Sequence, residues 1–163
     1  MTAIEDITQI SPVIRYLDAA LDGEAAVILA AALGSGSVDD AAARIAAARA
    51  DEDAQLLGLL VEGQLAGAYV LRKVGMANEI GPIAIKESHR RQGLGKMCVM
   101  DALLRSGRRP LMVETDQDGF NFYKAIGFKI VGKRKNADGV TRFRLGWHAP
   151  TPTPDGKGMI ECT

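Results

Sequence analysis

The chain has 163 residues, 47% of them apolar and 25% charged, a composition typical of one folded globular domain. Its 20 Lys and Arg side chains balance its 20 Asp and Glu side chains, so the net charge does not indicate nucleic acid or an acidic membrane as a partner. Cys98 and Cys162 are too few for a disulfide framework. Neither the cysteines nor His89 and His148 have the spacing of a metal site, so we expect no metal.

The N-terminal segment carries Glu5 and Asp6 and lacks the basic stretch and apolar core of a secretory signal. The longest apolar run, residues 25–33, is shorter than the ~18 residues that a membrane-spanning helix needs. These two absences predict a cytoplasmic protein without membrane contact.

Residues 11–50 are predicted to be helical. Ser11-Pro12 reads as a helix cap followed by proline at the first helical position, and residues 25–33 are rich in Ala and Leu. A Gly-Ser-Gly-Ser linker over 34–37 interrupts the helix. Ser37 and Asp40 then predict the start of a second helix that ends at Ala50.

The pattern after residue 54 changes to strands. Short glycine-containing turns separate three segments, which predicts an antiparallel meander over 55–61, 65–72 and 79–85. A helix over 95–106 follows, with Met97, Met100, Leu103 and Leu104 at helical spacing and expected in the core.

The last third of the chain is predicted to add a strand, a short helix and a hairpin. The strand over 110–115 should lie parallel to the strand before the 95–106 helix, because such crossovers are right-handed. A helix over 119–126 is followed by strands over 128–133 and 140–147, joined by an Asn-Ala-Asp-Gly turn. Residues 148 onward are rich in Pro and Gly and read as a tail.

The most informative segment is 79–96, where a strand leads through a basic glycine turn into a helix. Gly93 and Gly95 allow an anion to approach the backbone closely at a helix N-terminus, and Arg90, Arg91 and Lys96 add positive charge. A phosphate-bearing ligand is therefore expected. Pro82 removes a ladder hydrogen bond from the strand, which predicts either a bulge that offers backbone groups to a ligand or an edge strand.

The turn Arg90-Arg91-Gln92-Gly93-Leu94-Gly95 resembles the acetyl-CoA-binding motif of the GNAT superfamily of N-acetyltransferases, Arg/Gln-x-x-Gly-x-Gly/Ala. Phe122-Tyr123, followed after three residues by Gly127-Phe128, resembles the second signature of that family. The resemblance implies an α/β GNAT fold: a mixed, mostly antiparallel sheet of six to seven strands with helices on both faces and a splayed central strand pair. It implies one acetyltransferase domain over residues 1–148, followed by a tail over 149–163.

The family resemblance implies acetyl transfer from acetyl-CoA to a primary amine by direct attack in a ternary complex. Tyr123 would protonate the departing thiolate, and Glu79, acting through water, would take the proton of the amine, with Glu114 as the alternative base. The cosubstrate would bind along the strand and the turn, at Ile83, Ala84, Ile85, Arg90, Arg91, Gln92, Gly93, Leu94, Gly95 and Lys96. Tyr123 could instead be a core residue, and either glutamate a solvated strand charge.

Several alternatives stay open at the level of sequence. Asp116 stands where many members carry a CoA-binding asparagine, which leaves the contacts to the adenine end open. A non-catalytic acyl-CoA sensor or an interaction module of the same fold would share the turn. Residues 127–134 have P-loop spacing, but Arg134 replaces the required Ser or Thr. The acceptor is a small molecule or a protein amino group, and a homodimer is an open alternative.

Overall fold

The computed structural model describes residues 11–148, 151–152 and 159–160. The helices in this part of the chain are α1 (Asp22–Ala30), α2 (Val38–Ala50), α3 (Leu94–Ser106) and α4 (Gln117–Ile126). The strands are β1 (Val13–Tyr16), β2 (Ala54–Val61), β3 (Gln64–Val74), β4 (Ala77–Ile85), β5 (Leu111–Thr115), β6 (Lys129–Lys135), β7 (Thr141–Trp147), β8 (Thr151–Pro152) and β9 (Met159–Ile160).

Seven strands form one mixed sheet in the order β1-β2-β3-β4-β5-β7-β6, while β8 and β9 pair with each other. Pairing is antiparallel for β1–β2, β2–β3, β5–β7 and β6–β7, and parallel for β4–β5. The predicted α/β fold with a mixed, mostly antiparallel sheet is confirmed, as is the parallel pair. The β4–β5 register consists of three pairs that end at Ile80↔Val113, and β4 continues beyond the last pair to Ile85.

The chain divides into two compact units. The first comprises residues up to 72 together with 81–101, and the second comprises 73–80 together with the residues from 102 onward. The single domain expected over 1–148 stays a prediction, and most of the tail expected over 149–163 lies outside the described residues.

The first unit is built around a core of alanine, leucine and isoleucine side chains. In α2 the buried residues Ala41, Ile45 and Ala48 recur at helical spacing. Ser37 caps this helix, since its Oγ accepts a hydrogen bond of 3.2 Å from the backbone N–H of Asp40. The start predicted for this helix is thereby confirmed. The remaining core residues come from α1, the strands and the segment after β1: Leu17, Ala25, Ala26, Ile28, Leu29, Ala30, Leu56, Leu65, Ala68 and Val70.

The helix predicted to begin at Ser11-Pro12 is wrong. Val13–Tyr16 forms β1, which pairs antiparallel with β2 from Val13↔Leu60 to Tyr16↔Leu57. β-branched and aromatic side chains favour strands, and β2 offers an edge to pair with, so this preference outweighs the cap-like dipeptide. The first α-helix begins at Asp22, after a 3-10 turn that Asp18 caps.

The face of α3 that is buried differs from the one predicted. Met100 and Leu104 are 44% and 82% exposed, so their assignment to the core is wrong. The buried residues of the helix are instead Leu94, Cys98, Val99, Ala102 and Ser106. Two stripes of residues have helical spacing here, and periodicity alone cannot distinguish a stripe of large side chains from one of small side chains. Small side chains at the buried positions suit a tightly packed interior.

Candidate active site

The turn between β4 and α3, residues 90–96, lies in the first unit and is called the anion turn below. Arg91 has φ 64° and Gly93 has φ 76°, both in the left-handed region. For Arg91, a non-glycine residue, this conformation costs about 1 kcal/mol or more, and such strain concentrates at functional sites. Residues 90–93 are exposed. The turn therefore presents a strained, accessible backbone ahead of a helix.

The N-terminus of α3 supplies donors for an anion. The first helical hydrogen bond runs from Met97 N to Gly93 O over 3.1 Å. The N–H groups of Leu94, Gly95 and Lys96 precede that bond and have no acceptor in the preceding helical turn. Together with the helix dipole, they form an arrangement that can bind a phosphate. The turn thus offers backbone donors of the kind that the predicted anion site needs, and the site itself stays a prediction.

Arg90 is turned back toward the strand that precedes the turn. Its Nε donates a hydrogen bond of 3.0 Å to the carbonyl oxygen of Ile85. The backbone N–H of Lys86 donates a 2.7 Å bond to the carbonyl of Ala66 in β3. Both bonds fix the carboxyl end of β4, so Arg90 contributes to the position of the strand end.

Close approach of β3 and β4 within the first unit depends on Gly67. A Cβ at Gly67 would lie 2.7 Å from Cδ1 of Ile85 and 3.0 Å from the carbonyl oxygen of Ala84. A side chain at this position would displace Cδ1 of Ile85 and press on the carbonyl of Ala84, so glycine favours this close spacing. Ile83, Ala84 and Ile85 are half-buried.

Pro82 lies in an interior strand, because β4 has β3 and β5 as its neighbours in the sheet. The edge-strand interpretation of this proline is therefore wrong. Pro82 follows Ile80, the last residue of the β4–β5 register, so its missing N–H falls outside that ladder.

In the second unit, side chains from four strands share one face of the sheet. Cross-strand partners point to the same side. The register pairs Glu79 with Met112, Met112 with Gly146, Glu114 with Arg144, and Arg134 with Arg142. The face therefore carries two carboxylates and three guanidinium groups, Glu79, Glu114, Arg134, Arg142 and Arg144, called the charged face below.

The two carboxylates differ in their partners. Oε1 of Glu114 accepts a 2.6 Å bond from Nη2 of Arg134 and lies 3.6 Å from Nε of Arg142. Oε2 of Glu79 lies 3.8 Å from Nη2 of Arg144, beyond hydrogen-bond distance. The side chains of Glu79 and Glu114 are 35% and 28% exposed. The arrangement thus leaves the oxygens of Glu79 less engaged by arginine than those of Glu114.

Tyr123 lies in α4 and is only 5% exposed. Its ring makes edge contacts with Phe122 at 5.0 Å and with Phe128 at 5.4 Å between centroids. Gly127 ends the helix with φ 123°, and its N–H reaches the carbonyls of Tyr123 and Lys124. The Gly-Phe pair of the second signature therefore has a structural task, which is to end α4 and to pack Phe128 against the tyrosine.

Asp116 also has a structural task. Its carboxylate caps α4 by accepting a 3.1 Å hydrogen bond from the N–H of Gly119. Short polar side chains are favoured at this position of a helix, which explains an aspartate at this place in the sequence.

Cys98 is buried in α3, and burial raises the pKa of its thiol to about 12, with a smaller contribution from the charge of Asp101. A thiol with so high a pKa is a poor nucleophile at neutral pH, because the thiolate is the reactive form. The described residues contain no group of three or more His, Cys, Asp or Glu that could hold a metal ion. In the same part of the chain, every helix is too short or too polar to cross a membrane.

A buried polar cluster ahead of Glu79 was not predicted from the sequence. Asn78 is 4% exposed, and its Nδ2 donates to Oγ of Ser106 over 3.1 Å. Arg109 donates from Nε to Oδ1 of Asn78 over 2.9 Å and from Nη2 to the carbonyl of Ala77 over 3.0 Å. This cluster fixes the start of β4. The sequence offered one signal for this cluster. It is an asparagine within a strand pattern, with two arginines just before Pro110.

Comparison with known proteins places this geometry in a family. A family model described as an acetyltransferase (GNAT) domain matches residues 23–147. The chain belongs to the GNAT acetyltransferase family. The predicted family and the predicted enzyme class, an acyltransferase, are thereby confirmed. No curated protein sequence matches this GNAT chain at a significant level.

Solved structures share the fold of this GNAT protein at low sequence identity. An aminoglycoside 6′-N-acetyltransferase complexed with coenzyme A is 16% identical with a TM-score of 0.76, over 86% of this chain and 99% of that one. The aminoglycoside 6′-N-acetyltransferase from Enterococcus faecium is 16% identical with a TM-score of 0.71, over 86% and 99%. A GNAT acetyltransferase from Elizabethkingia anophelis with acetyl-CoA bound is 20% identical with a TM-score of 0.67, over 84% and 97%.

Proposed function

We propose that this GNAT protein transfers an acetyl group from acetyl-CoA to a primary amine by direct attack of the amine on the thioester. The observation that carries the proposal is the anion turn, where left-handed Arg91 and Gly93 precede the N–H groups of the first turn of α3. Family membership supports acetyl transfer, and solved proteins of this fold contain coenzyme A or acetyl-CoA.

The donor half of the proposal uses the first unit. The pyrophosphate binds the N–H groups of residues 91–96, where the helix dipole and the charges of Arg91 and Lys96 favour it. The pantetheine arm lies along the backbone of Ile83–Ile85. The carbonyl of Ile85 already accepts a bond from Arg90, so the arm uses the other backbone groups of this stretch. A backbone N–H there stabilises the oxyanion formed during attack.

The acceptor half of the proposal uses the second unit. Glu79 takes a proton from the ammonium, because its carboxylate is less engaged by arginine than that of Glu114. The neutral amine then forms a bond to the carbonyl carbon, and the C–S bond breaks. Tyr123 donates a proton to the departing sulfur. The nitrogen of the tetrahedral adduct returns a proton to the tyrosinate through solvent, and Glu79 releases its proton to water, so the products are an N-acetylated amine, the free thiol of CoA and one proton.

Because Cys98 is buried and its thiol has a pKa of about 12, direct attack is favoured over an acyl-enzyme formed on this cysteine. The alternative function is a sensor that binds acetyl-CoA without turnover. Thiol release upon addition of amines distinguishes the two functions.

The test combines calorimetry with acetyl-CoA and a thiol-release assay over a panel of amines. Gly93→Glu should abolish binding, because it places a carboxylate beside the proposed pyrophosphate. Gly93→Asn is the matched control, since asparagine tolerates the left-handed backbone and adds no charge. Equal affinity of the Gly93→Glu variant and the wild type would reject the site. Tight binding without amine-dependent thiol release would support the sensor.

A further inference from the structure

We propose that the acceptor carries a carboxylate close to its reactive amine, as an α- or β-amino acid does, and that Arg144 binds this carboxylate. The inference rests on the proposed acetyl transfer and names the substrate class for the same site. It starts from the charged face of the second unit, where the three arginines differ in how strongly the glutamates engage them.

Glu114 engages two of the arginines. Arg134 donates to its Oε1 over 2.6 Å, and Nε of Arg142 lies 3.6 Å from the same oxygen. Arg142 also donates from Nη2 to the backbone carbonyl of Glu114 over 3.3 Å. These two guanidinium groups thus donate to the carboxylate and the backbone carbonyl of Glu114, and Nη1 of Arg134 also donates to Oδ1 of Asn136 over 2.9 Å, so both groups are engaged within the protein and fix the position of Glu114.

Arg144 has the loosest ion pair of the three. Its Nη2 lies 3.8 Å from Oε2 of Glu79, too far for a hydrogen bond, and its side chain is 47% exposed. A guanidinium group has five N–H donors in a planar fork that matches a carboxylate. Arg144 is therefore the arginine of this face best able to form a bidentate pair with an anion from solution.

The position of Arg144 beside Glu79 restricts what kind of anion fits. Glu79 is the proposed base, and it takes the proton directly when the ammonium of the acceptor lies within hydrogen-bond reach. The guanidinium of Arg144 lies only 3.8 Å from this carboxylate. One molecule that satisfies both groups needs its ammonium and its anion separated by one or two carbon atoms. This spacing describes an amino acid with a free carboxylate, and not a protein N-terminus, whose neighbouring carbonyl is an amide.

The charge of the face disfavours a polycationic acceptor. Three arginines and Lys129, which pairs with Gly146 and so lies on the same face, accompany two glutamates, so the face has a surplus of positive charge although the whole chain is neutral. Charge complementarity across a binding site selects partners, and like charges reject the wrong ones. An acceptor with several ammonium groups would place like charges beside two or three guanidinium groups. An amino acid instead places its ammonium beside Glu79 and its carboxylate beside Arg144.

The experiment measures acetyl-CoA-dependent thiol release with pairs of amines that differ only in the carboxylate. L-phenylalanine is paired with phenethylamine and L-alanine with ethylamine, and a polycationic aminoglycoside is added as a third class. We expect kcat/KM to be at least about tenfold higher for each amino acid than for its decarboxylated partner, as a charge-assisted pair of hydrogen bonds allows. A preference for the aminoglycoside or for the decarboxylated amines would overturn the inference.

Variants of the hairpin test the role of Arg144. Arg144→Ala should raise KM for the amino acids by about 10-fold to 100-fold more than it raises KM for the decarboxylated amines, and Arg144→Lys should restore part of the loss. Lys133→Ala is the matched control, because Lys133 pairs with Phe143 and so lies on the opposite face of the same hairpin. An equal KM for wild type and a folded Arg144→Ala variant would overturn the inference.

The results of these experiments distinguish a failure of this inference from a failure of the proposed function. Failure of the protein to bind acetyl-CoA, or to release thiol with any amine, would reject acetyl transfer and the inference together. Thiol release that ignores the carboxylate would reject the inference alone. The comparison of paired amines uses the wild-type protein. It therefore tests the requirement for a carboxylate on the acceptor even if Arg144→Ala fails to fold.

Discussion

The Nε atom of Arg90 donates a 3.0 Å hydrogen bond to the carbonyl oxygen of Ile85, five residues earlier in the chain. An arginine of the predicted cosubstrate-binding motif is thus bonded to the strand end that precedes the turn. This contact means that Arg90 has two candidate roles, which an experiment can distinguish. A phosphate-binding arginine acts through its charge, whereas an arginine that fixes a strand end acts through the geometry of its donors.

Arg90→Lys should therefore weaken acetyl-CoA binding nearly as much as Arg90→Ala, by about tenfold, since lysine keeps the charge and lacks the Nε donor. Charge-assisted hydrogen bonds of this kind contribute about 1.5–3 kcal/mol. Calorimetry at low ionic strength measures both affinities. Wild-type affinity in the Arg90→Lys variant would show that charge alone matters at this position.

Glu79→Gln should lower kcat by about 100-fold or more, the usual effect of losing a general base, with little change in acetyl-CoA affinity. The matched variant Glu114→Gln should lower kcat by less than about tenfold. It should also reduce the free energy of unfolding by about 1 kcal/mol or less, because its ion pairs with Arg134 and Arg142 are partly exposed. Steady-state kinetics and denaturant titrations provide both values. The reverse order of the two kcat effects would move the role of base to Glu114.

Tyr123→Phe should reduce kcat while acetyl-CoA affinity stays within a few-fold. The substitution removes only the hydroxyl and keeps the ring that contacts Phe122 and Phe128. Thiol release under saturating acetyl-CoA measures the effect. Full activity of this variant would mean that another group, or water, protonates the thiolate.

Gly67→Ala should destabilise the protein by about 1–3 kcal/mol, the usual cost of overpacking, and weaken acetyl-CoA binding. Its Cβ would lie 3.0 Å from the carbonyl oxygen of Ala84 and would push the end of β4 away from β3. Gly81→Ala in β4 is the control, because its Cβ would meet Val70 at an ordinary 3.4 Å. Thermal or chemical denaturation of both variants tests this, and equal losses would contradict it.

The burial of Cys98 predicts a decrease of stability at alkaline pH. Burial raises the pKa of this thiol from 9.0 to about 12 in the folded protein. Below pH 9 the thiol is neutral in both states, so its contribution to stability is fully present. Between about pH 9 and 12 the unfolded chain loses the proton while the native protein keeps it, which lowers stability by up to about 1.4 kcal/mol per pH unit.

Cys98→Ala isolates this effect from the titration of lysines and tyrosines. The difference in unfolding free energy between wild type and variant should be constant below pH 8 and should shrink as pH rises above 9. The variant should also keep its kcat, because direct attack needs no cysteine. A difference that stays constant up to pH 11 would contradict the burial argument.

Much of the fold could be predicted because its signals are local. The 55–61 and 65–72 segments are confirmed within β2 and β3, and the Ser37 cap fixed the start of α2. The start of the chain was mispredicted, because only pairing with β2 makes Val13–Tyr16 a strand. The exposed Met100 and Leu104 were mispredicted since neighbours distant in sequence decide which stripe of a helix is buried.

The candidate site was predictable to a similar degree. The backbone geometry of the anion turn follows from its glycines and from the helix start, both of which are visible in the sequence. The pairing of Glu114 with Arg134 and Arg142 was not visible, because it depends on the register of three strands, and a one-residue slip would direct these side chains to the other face. The sequence shows that the segments forming β6 and β7 are rich in basic residues. It does not show which carboxylates these side chains contact.

All three guanidinium groups of the charged face come from β6 and β7, one continuous hairpin of the chain. Exchanging residues 129–147 for a hairpin with acidic side chains at the same register positions would invert the electrostatic character around Glu79 and Glu114. The anion turn at 90–96 would keep its sequence. On the proposed role of Arg144 in acceptor binding, redirecting this acetyltransferase toward cationic amines requires a graft of this single hairpin only.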